Sequence, residues 1–184
     1  MVEDTGWLLA VVQVPSDPSR HRVAVWRELR RVGAVPVSQG TWALPDADAF
    51  RAALARASEL AAEGGGSVAS FAVTPQDEAA RTLVVETFRE ARIEEWREFT
   101  ADCGKFEDEI AREIAKRKFT FAELEEEEHS LDRLRRWHRD LRRRDVLALD
   151  EGAQAATRLR ACEAALDDFA GRVYEENGGT RTRA

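Results

Sequence analysis

Hydrophobic positions follow two regimes along this chain. As far as Val73 they come in short runs; beyond Pro75 they recur every three or four residues. Trp7 to Val14 is almost continuous apolar sequence, interrupted only by Gln13. It is too short for a typical helix and rich in valine, so it predicts a central strand. Pro15 and Pro18 push their predecessors into extended geometry, which makes Pro15-Ser16-Asp17-Pro18 a turn. Asp17 is expected to cap the helix that follows, with Pro18 at its first position. Val23, Trp26 and Leu29 carry the helical period, Arg20, Arg27, Arg30 and Arg31 lie on the other side, and Gly33 reads as the stop. Ala34 to Val37 and Thr41 to Leu44 read as short strands around Ser38-Gln39-Gly40. A second helix is expected from Pro45-Asp46, with Phe50, Leu54, Ala57 and Leu60 as its apolar face and Gly64-Gly65-Gly66 as its end. Ser67 to Val73 is a last strand. The order strand, helix, strand, strand, helix, strand is the split βαβ, ferredoxin-like order.

From Glu78 to about Lys118 the spacing predicts one long helix. Trp96, Phe99, Cys103, Phe106, Ile110 and Ile114 form its stripe, and Gly104 inside it is expected to weaken or bend it. Thr120 with Glu123 has the form of a capping box. It opens a helix carrying Leu124, Leu131, Leu134, Trp137 and Leu141. A third helix spans about Asp150 to Glu176, with Leu159, Cys162, Leu166, Phe169 and Val173 on one side. Asn177-Gly178-Gly179 reads as its stop, and the last five residues are expected to fray. The fold class is therefore α+β: a ferredoxin-like βαββαβ domain over residues 1–75, then an α-helical extension over 76–184 with a short disordered tail. The three stripes must bury against each other, the sheet domain or a second protomer.

Composition narrows the function. The chain has 184 residues, is 43% hydrophobic and 34% charged, and carries a net charge of −7. That charge argues against a general nucleic-acid coat protein, which is usually basic. No run of 18 apolar residues is present, so no membrane segment is expected, and no secretory signal is read at the N-terminus. The cytoplasm is the expected location. Cys103 and Cys162 match neither a disulfide framework nor a zinc motif.

Two positions carry candidate chemistry. The first is the turn leading into the first helix. A helix N-terminus presents free backbone N–H groups and the positive end of a dipole, and Ser19, Arg20 and Arg22 add a hydroxyl and two charges suited to a tetrahedral oxyanion. Gln39 and Trp42 would line the same end of the sheet. The competing reading is that Asp17 caps the helix and the arginines are solvated. The second position is residues 131–145, with seven arginines against three aspartates, preceded by Glu123 and Glu125 to Glu128. Arg135, Arg139, Arg142 and Arg143 are the candidate DNA contacts, since arginines on one helix neutralise phosphates. The competing reading is a helix whose charges complement its own dipole. Cys103 would suit thiol chemistry but lies on an apolar stripe, as does Cys162, which favours core. Glu126 and His129 have Glu-x-x-His spacing, yet no second copy completes a carboxylate metal site. No catalytic residue, metal or cofactor is expected.

The segments VPSDPSRHRVAVWRELRRVGA, QGTWALP, EEWREFTADCGKFEDEI and KFTFAELEEEEHSLDRLRRWHRDLRRRDV, in this order, resemble the N-terminal domain family of the chromate resistance protein ChrB over roughly residues 7–147. The resemblance implies a bacterial, cytoplasmic, chromate-sensing regulator that acts on the promoter of a chromate-efflux gene set. The family's second, C-terminal domain has no counterpart here, where residues 148–184 read as one helix and a tail. The leading expectation is thus a non-catalytic, chromate-responsive regulator and homodimer that binds an oxyanion, with promoter DNA as a further partner. The alternatives are a dimerising interaction module and, behind it, a thiol-based chromate-reducing enzyme or a metal-dependent nuclease.

Overall fold

The computed structural model describes residues 6–178. The chain divides into two compact units, residues 1–92 and 93–184. In the first, β1 (Trp7–Gln13), α1 (Ser19–Val32), β2 (Val35–Ser38), β3 (Thr41–Pro45), α2 (Asp48–Glu63) and β4 (Ser67–Val73) precede the start of α3 (Glu78–Ala115). The sheet runs β2-β3-β1-β4 with every neighbouring pair antiparallel. The predicted α+β fold with ferredoxin-like strand order is what the chain adopts. β1 is central because it is the most continuously apolar strand, and Leu8 faces Leu44 on one side and Ala72 on the other.

Two helix starts and one helix face differ from the reading of the sequence. Pro18, in extended geometry with ψ 136°, is the N-cap of α1, so the helix begins at Ser19 and no side chain caps it. Asp17 lies one residue too early to reach the first-turn N–H groups. Likewise α2 begins at Asp48 behind Ala47, and Asp46 instead accepts a hydrogen bond from Arg51 at 2.7 Å. The buried side of α1 is Val25 and Leu29; Val23 and Trp26 are exposed, Trp26 at 51%. Trp26 follows the helical period, but one step off the line that meets the sheet.

Glycines close both helices. Gly33 adopts φ 87° and ends α1 with Ala34 N–H bonded to the Leu29 carbonyl at 3.0 Å. Gly66 N–H bonds to the Ala61 carbonyl at 2.8 Å, and a side chain there would collide with the Gln13 carbonyl oxygen. Only a residue without Cβ lets the end of α2 pass β1 so closely.

The second unit holds the rest of α3, α4 (Phe121–Arg144) and α5 (Asp150–Gly178). α3 runs through Gly104 without a break. Thr120 caps α4 as predicted, its Oγ1 accepting from the Glu123 N–H at 3.2 Å. The three predicted stripes bury against one another: Phe99, Cys103, Leu131, Cys162 and Phe169 belong to one cluster. Each fully buried phenylalanine contributes on the order of 1.5–3 kcal/mol by transfer from water. On α4 the buried line is Leu124, Glu127, Leu131, Leu134, His138 and Leu141, a steady three-four step in which two positions are polar. α5 extends to Gly178; the expected stop completed by Gly179 and the frayed tail lie outside the described residues.

Candidate functional site

A cleft of about 330 Å³ opens in the first unit between α1 and the strands beneath it. Arg22, Val25 and Trp26 line it from α1, Gln39 and Trp42 from the β2–β3 hairpin, and Val14 from the chain after β1. Gly40 makes this arrangement possible. With φ 75° it turns the hairpin tightly, and its carbonyl accepts the Val12 N–H at 2.7 Å. That bond ties the hairpin tip to β1, and Gln39 and Arg22 both line the cleft.

The start of α1 carries the positive end of the helix dipole. Its first turn holds no acidic residue and no side-chain cap, so the N–H groups there keep their bonding capacity for a ligand or water. Arg22 is exposed and, among the described residues, makes no hydrogen bond or ion pair. Trp42 is buried and supplies an apolar wall; Trp26 is held from outside by Arg30, whose guanidinium lies 5.9 Å from its ring centre. Of the residues expected to act together, Arg22 and Gln39 share the cleft. Ser19, the first helical residue, and Arg20 are exposed and do not line it. The Arg20 Nε donates to His21 Nε2 at 3.2 Å.

The arginines of α4 fall into distinct environments. Arg135 is committed within the bundle: its Nε donates to Glu163 of α5 at 2.9 Å, and its guanidinium reaches Asp132 at 3.2 Å. Arg139 is exposed and without an ion pair among the described residues. Arg143 is exposed and lies 3.7 Å from Asp140. Arg142 lines a separate cleft beside Trp96 and Asp145, where the Trp96 Nε1 donates to Asp145 at 2.9 Å. Arg136, Arg139 and Arg143 follow each other at three- and four-residue steps, so they share a solvent face.

Cys103 and Cys162 are both fully buried and face each other across α3 and α5; the Cys162 thiol donates to the Cys103 carbonyl at 3.5 Å. The hydrogen bond from Cys162, followed by burial, pushes the Cys103 thiol far above its usual range. Among the described residues no three His, Cys, Asp or Glu side chains gather as a metal site, and no helix is long and apolar enough to cross a membrane.

The sequence reading missed four buried polar groups: Arg92, Glu113, Glu127 and His138. Two of them were signalled, because extending the three-four step of the α4 leucines lands on positions 127 and 138. His138 packs against Trp96 and Phe99 at 5.6 and 5.5 Å between ring centres, and burial, aided by Arg142, lowers its pKa.

Comparison with known proteins adds two findings. The sequence model of the family described as "Protein ChrB, N-terminal" matches residues 22–180. Protein ChrB of Cupriavidus metallidurans is 31% identical over 94 residues, which covers 50% of this chain and 29% of that protein.

Proposed function

This chain belongs to the ChrB N-terminal domain family, and from that premise we propose that it is a non-catalytic, chromate-responsive regulatory protein whose oxyanion binds in the α1 cleft. The observation that carries the reading is the unpaired Arg22 beside Gln39 on a cleft next to an uncapped helix start. A chromate or sulfate dianion would take charge-assisted hydrogen bonds from the guanidinium, one bond from the Gln39 amide, and the positive end of the α1 dipole. Trp42 and Val25 would keep one side of the anion dry, which strengthens those bonds. Arg20 and Ser19 would act from the rim. The full burial of both thiols supports a role that is not thiol-based reduction.

The test is calorimetric titration with chromate, and with sulfate and chloride as controls. Saturable binding is expected, weakened at least tenfold in Arg22→Ala and severalfold in Gln39→Ala. A flat titration of folded protein, or an Arg22→Ala variant that binds as well as the parent, would defeat the reading.

Contact with promoter DNA is proposed for the solvent face of α4 bearing Arg139 and Arg143, with Arg142 at its flank. Arg135 contributes by holding α4 to α5. Arg139→Glu/Arg143→Glu is expected to abolish salt-dependent binding to a promoter fragment and to leave oxyanion binding intact, since each neutralised phosphate adds to the salt slope. Unaltered binding in a mobility assay would assign these arginines to solvation alone.

A second reading, a dimerising interaction module, draws on one observation. Phe121 and Tyr174 stack edge-on at 5.5 Å between ring centres while both stay more than half exposed. A sedimentation experiment that finds a dimer dissociated by Phe121→Ser/Tyr174→Ser, with no oxyanion binding, would favour it.

A further inference from the structure

The second unit carries a cleft of about 640 Å³ between α3 and α4 that the reading above does not use. Its polar end is formed by Glu109 of α3 and by Glu126 and Glu127 of α4. Its walls are Phe106, Leu134 and Trp137. Glu127 is unusual among these. It sits on the buried line of α4 at 5% exposure, and it makes no hydrogen bond or ion pair with any described residue. Its carboxylate opens onto the cleft, where no cation of the described residues neutralises it, and so enclosed a carboxylate favours a proton or a cation placed against it. Glu126 also has no such partner, whereas Glu109 pairs with Arg112 one turn along α3.

The cations near this cleft do not complete the site. Lys105 is held by Asp102 at 2.6 Å. Arg133 lines the cleft two helical turns from Glu126, roughly 10 Å along the axis. Glu113, a further buried carboxylate of α3, is neutralised by Lys116 at 3.0 Å and Lys118 at 3.1 Å. Glu127 therefore sits in a field of like charge, and burial with Glu109, Glu126, Glu113 and Glu123 pushes its pKa up to about 7. A positive group placed against it would relieve both the desolvation and the repulsion.

We propose that the α3–α4 cleft is a binding site for a small organic ammonium, with Glu127 and Glu126 receiving the charged nitrogen and Phe106, Leu134 and Trp137 taking its apolar body. The chemistry fits the lining. An ammonium donates up to three hydrogen bonds and can satisfy the buried carboxylate. Aromatic faces attract a desolvated cation, and the apolar walls favour a carbon skeleton over a hydrated metal ion, which would need more oxygen ligands than the cleft converges. Arg133 at the far end disfavours a long polycation and selects a ligand with one positive end.

The test is calorimetry with phenethylamine on the full chain at pH 8, where Glu127 is ionised. Phenethyl alcohol, Mn²⁺ and Mg²⁺ are titrated separately. Saturable binding of the amine but not the alcohol is expected. Glu127→Gln should weaken it at least tenfold, and Glu125→Gln/Glu128→Gln, which removes two exposed charges of the same helix, should leave it within twofold. Binding should also weaken about tenfold from pH 8 to pH 6 as Glu127 takes up its proton. No binding by protein shown to be folded, equal binding by Glu127→Gln, or an equal loss in the exposed control pair would overturn the proposal. Saturation by Mn²⁺ or Mg²⁺ without the amine would also overturn it and make the cleft a metal site.

Discussion

Replacing Arg92 by alanine is expected to cost roughly 3 kcal/mol of stability, in the range for leaving a buried acceptor unpaired and emptying the space beside it. Arg92 is only 2% exposed, although a charged side chain is rarely buried so completely. Its Nη1 donates to the Gly33 carbonyl at 2.7 Å, and its guanidinium lies 4.7 Å from the centre of the Phe88 ring. Gly33 is the left-handed residue that ends α1, so its carbonyl points away from the helix and needs a donor from outside. Alanine removes that donor, empties the space over Phe88 and leaves the carbonyl buried. Lysine keeps a charge but not the planar fork, so Arg92→Lys should recover only part of the loss. Urea unfolding at pH 7 measures both. A loss below about 1 kcal/mol in Arg92→Ala would show that the contact is incidental. Because α1 also carries Arg22 and Trp26, the alanine variant should bind an oxyanion more weakly without any change in the cleft lining.

Glu127→Gln should have the opposite sign at neutral and alkaline pH. The Glu127 carboxyl is pushed from an ordinary 4.5 to about 7, first by burial and then by Glu109, Glu126, Glu113 and Glu123. Between those two values the folded chain keeps a proton that the unfolded chain has released. Stability therefore falls as pH rises through this window, and the loss is complete above about pH 7. The full shift corresponds to at most about 3 kcal/mol, and water entering the open cleft reduces it to the order of 1–2 kcal/mol. Glutamine resembles the protonated acid, so Glu127→Gln should match the parent near pH 4 and exceed it by that amount at pH 8. Denaturant unfolding of the two proteins at a series of pH values reads the difference directly. Parallel curves would mean that Glu127 is ionised in the folded chain without penalty.

Much of the architecture is legible in the residues themselves. The valine-rich run of β1, the prolines after it and the glycines at 33, 40 and 64–66 punctuate the first unit into its strand and helix order, because each acts through its own backbone preference. Thr120 with Glu123 marks the start of α4 for the same local reason. The stripes of α3 and α5 follow from period alone, and every residue assigned to the α5 stripe is buried. At the candidate site the sequence brings out Arg22 and Gln39 and, through the fold it predicts, their place at one end of the sheet, but not that Ser19 and Arg20 stay outside the cleft, which depends on how the start of α1 meets the hairpin.

Tertiary structure decided what local pattern leaves open. Trp26 and Leu29 both follow the helical period of α1, and only the direction in which the helix meets the sheet makes Leu29 core and Trp26 a cleft wall. Arg135 and Arg139 look alike in a basic run, and only the approach of Glu163 from α5 commits one and frees the other. Glu127 reads as one glutamate in an acidic stretch, and Arg92 as one charge on a long helix. Their burial depends on helices that pack from elsewhere in the chain. Period and backbone propensity are properties of neighbours in sequence, whereas burial and charge pairing are set by neighbours in space. The elements of this protein were therefore written locally, and its charged sites were settled only when the helices and strands came together.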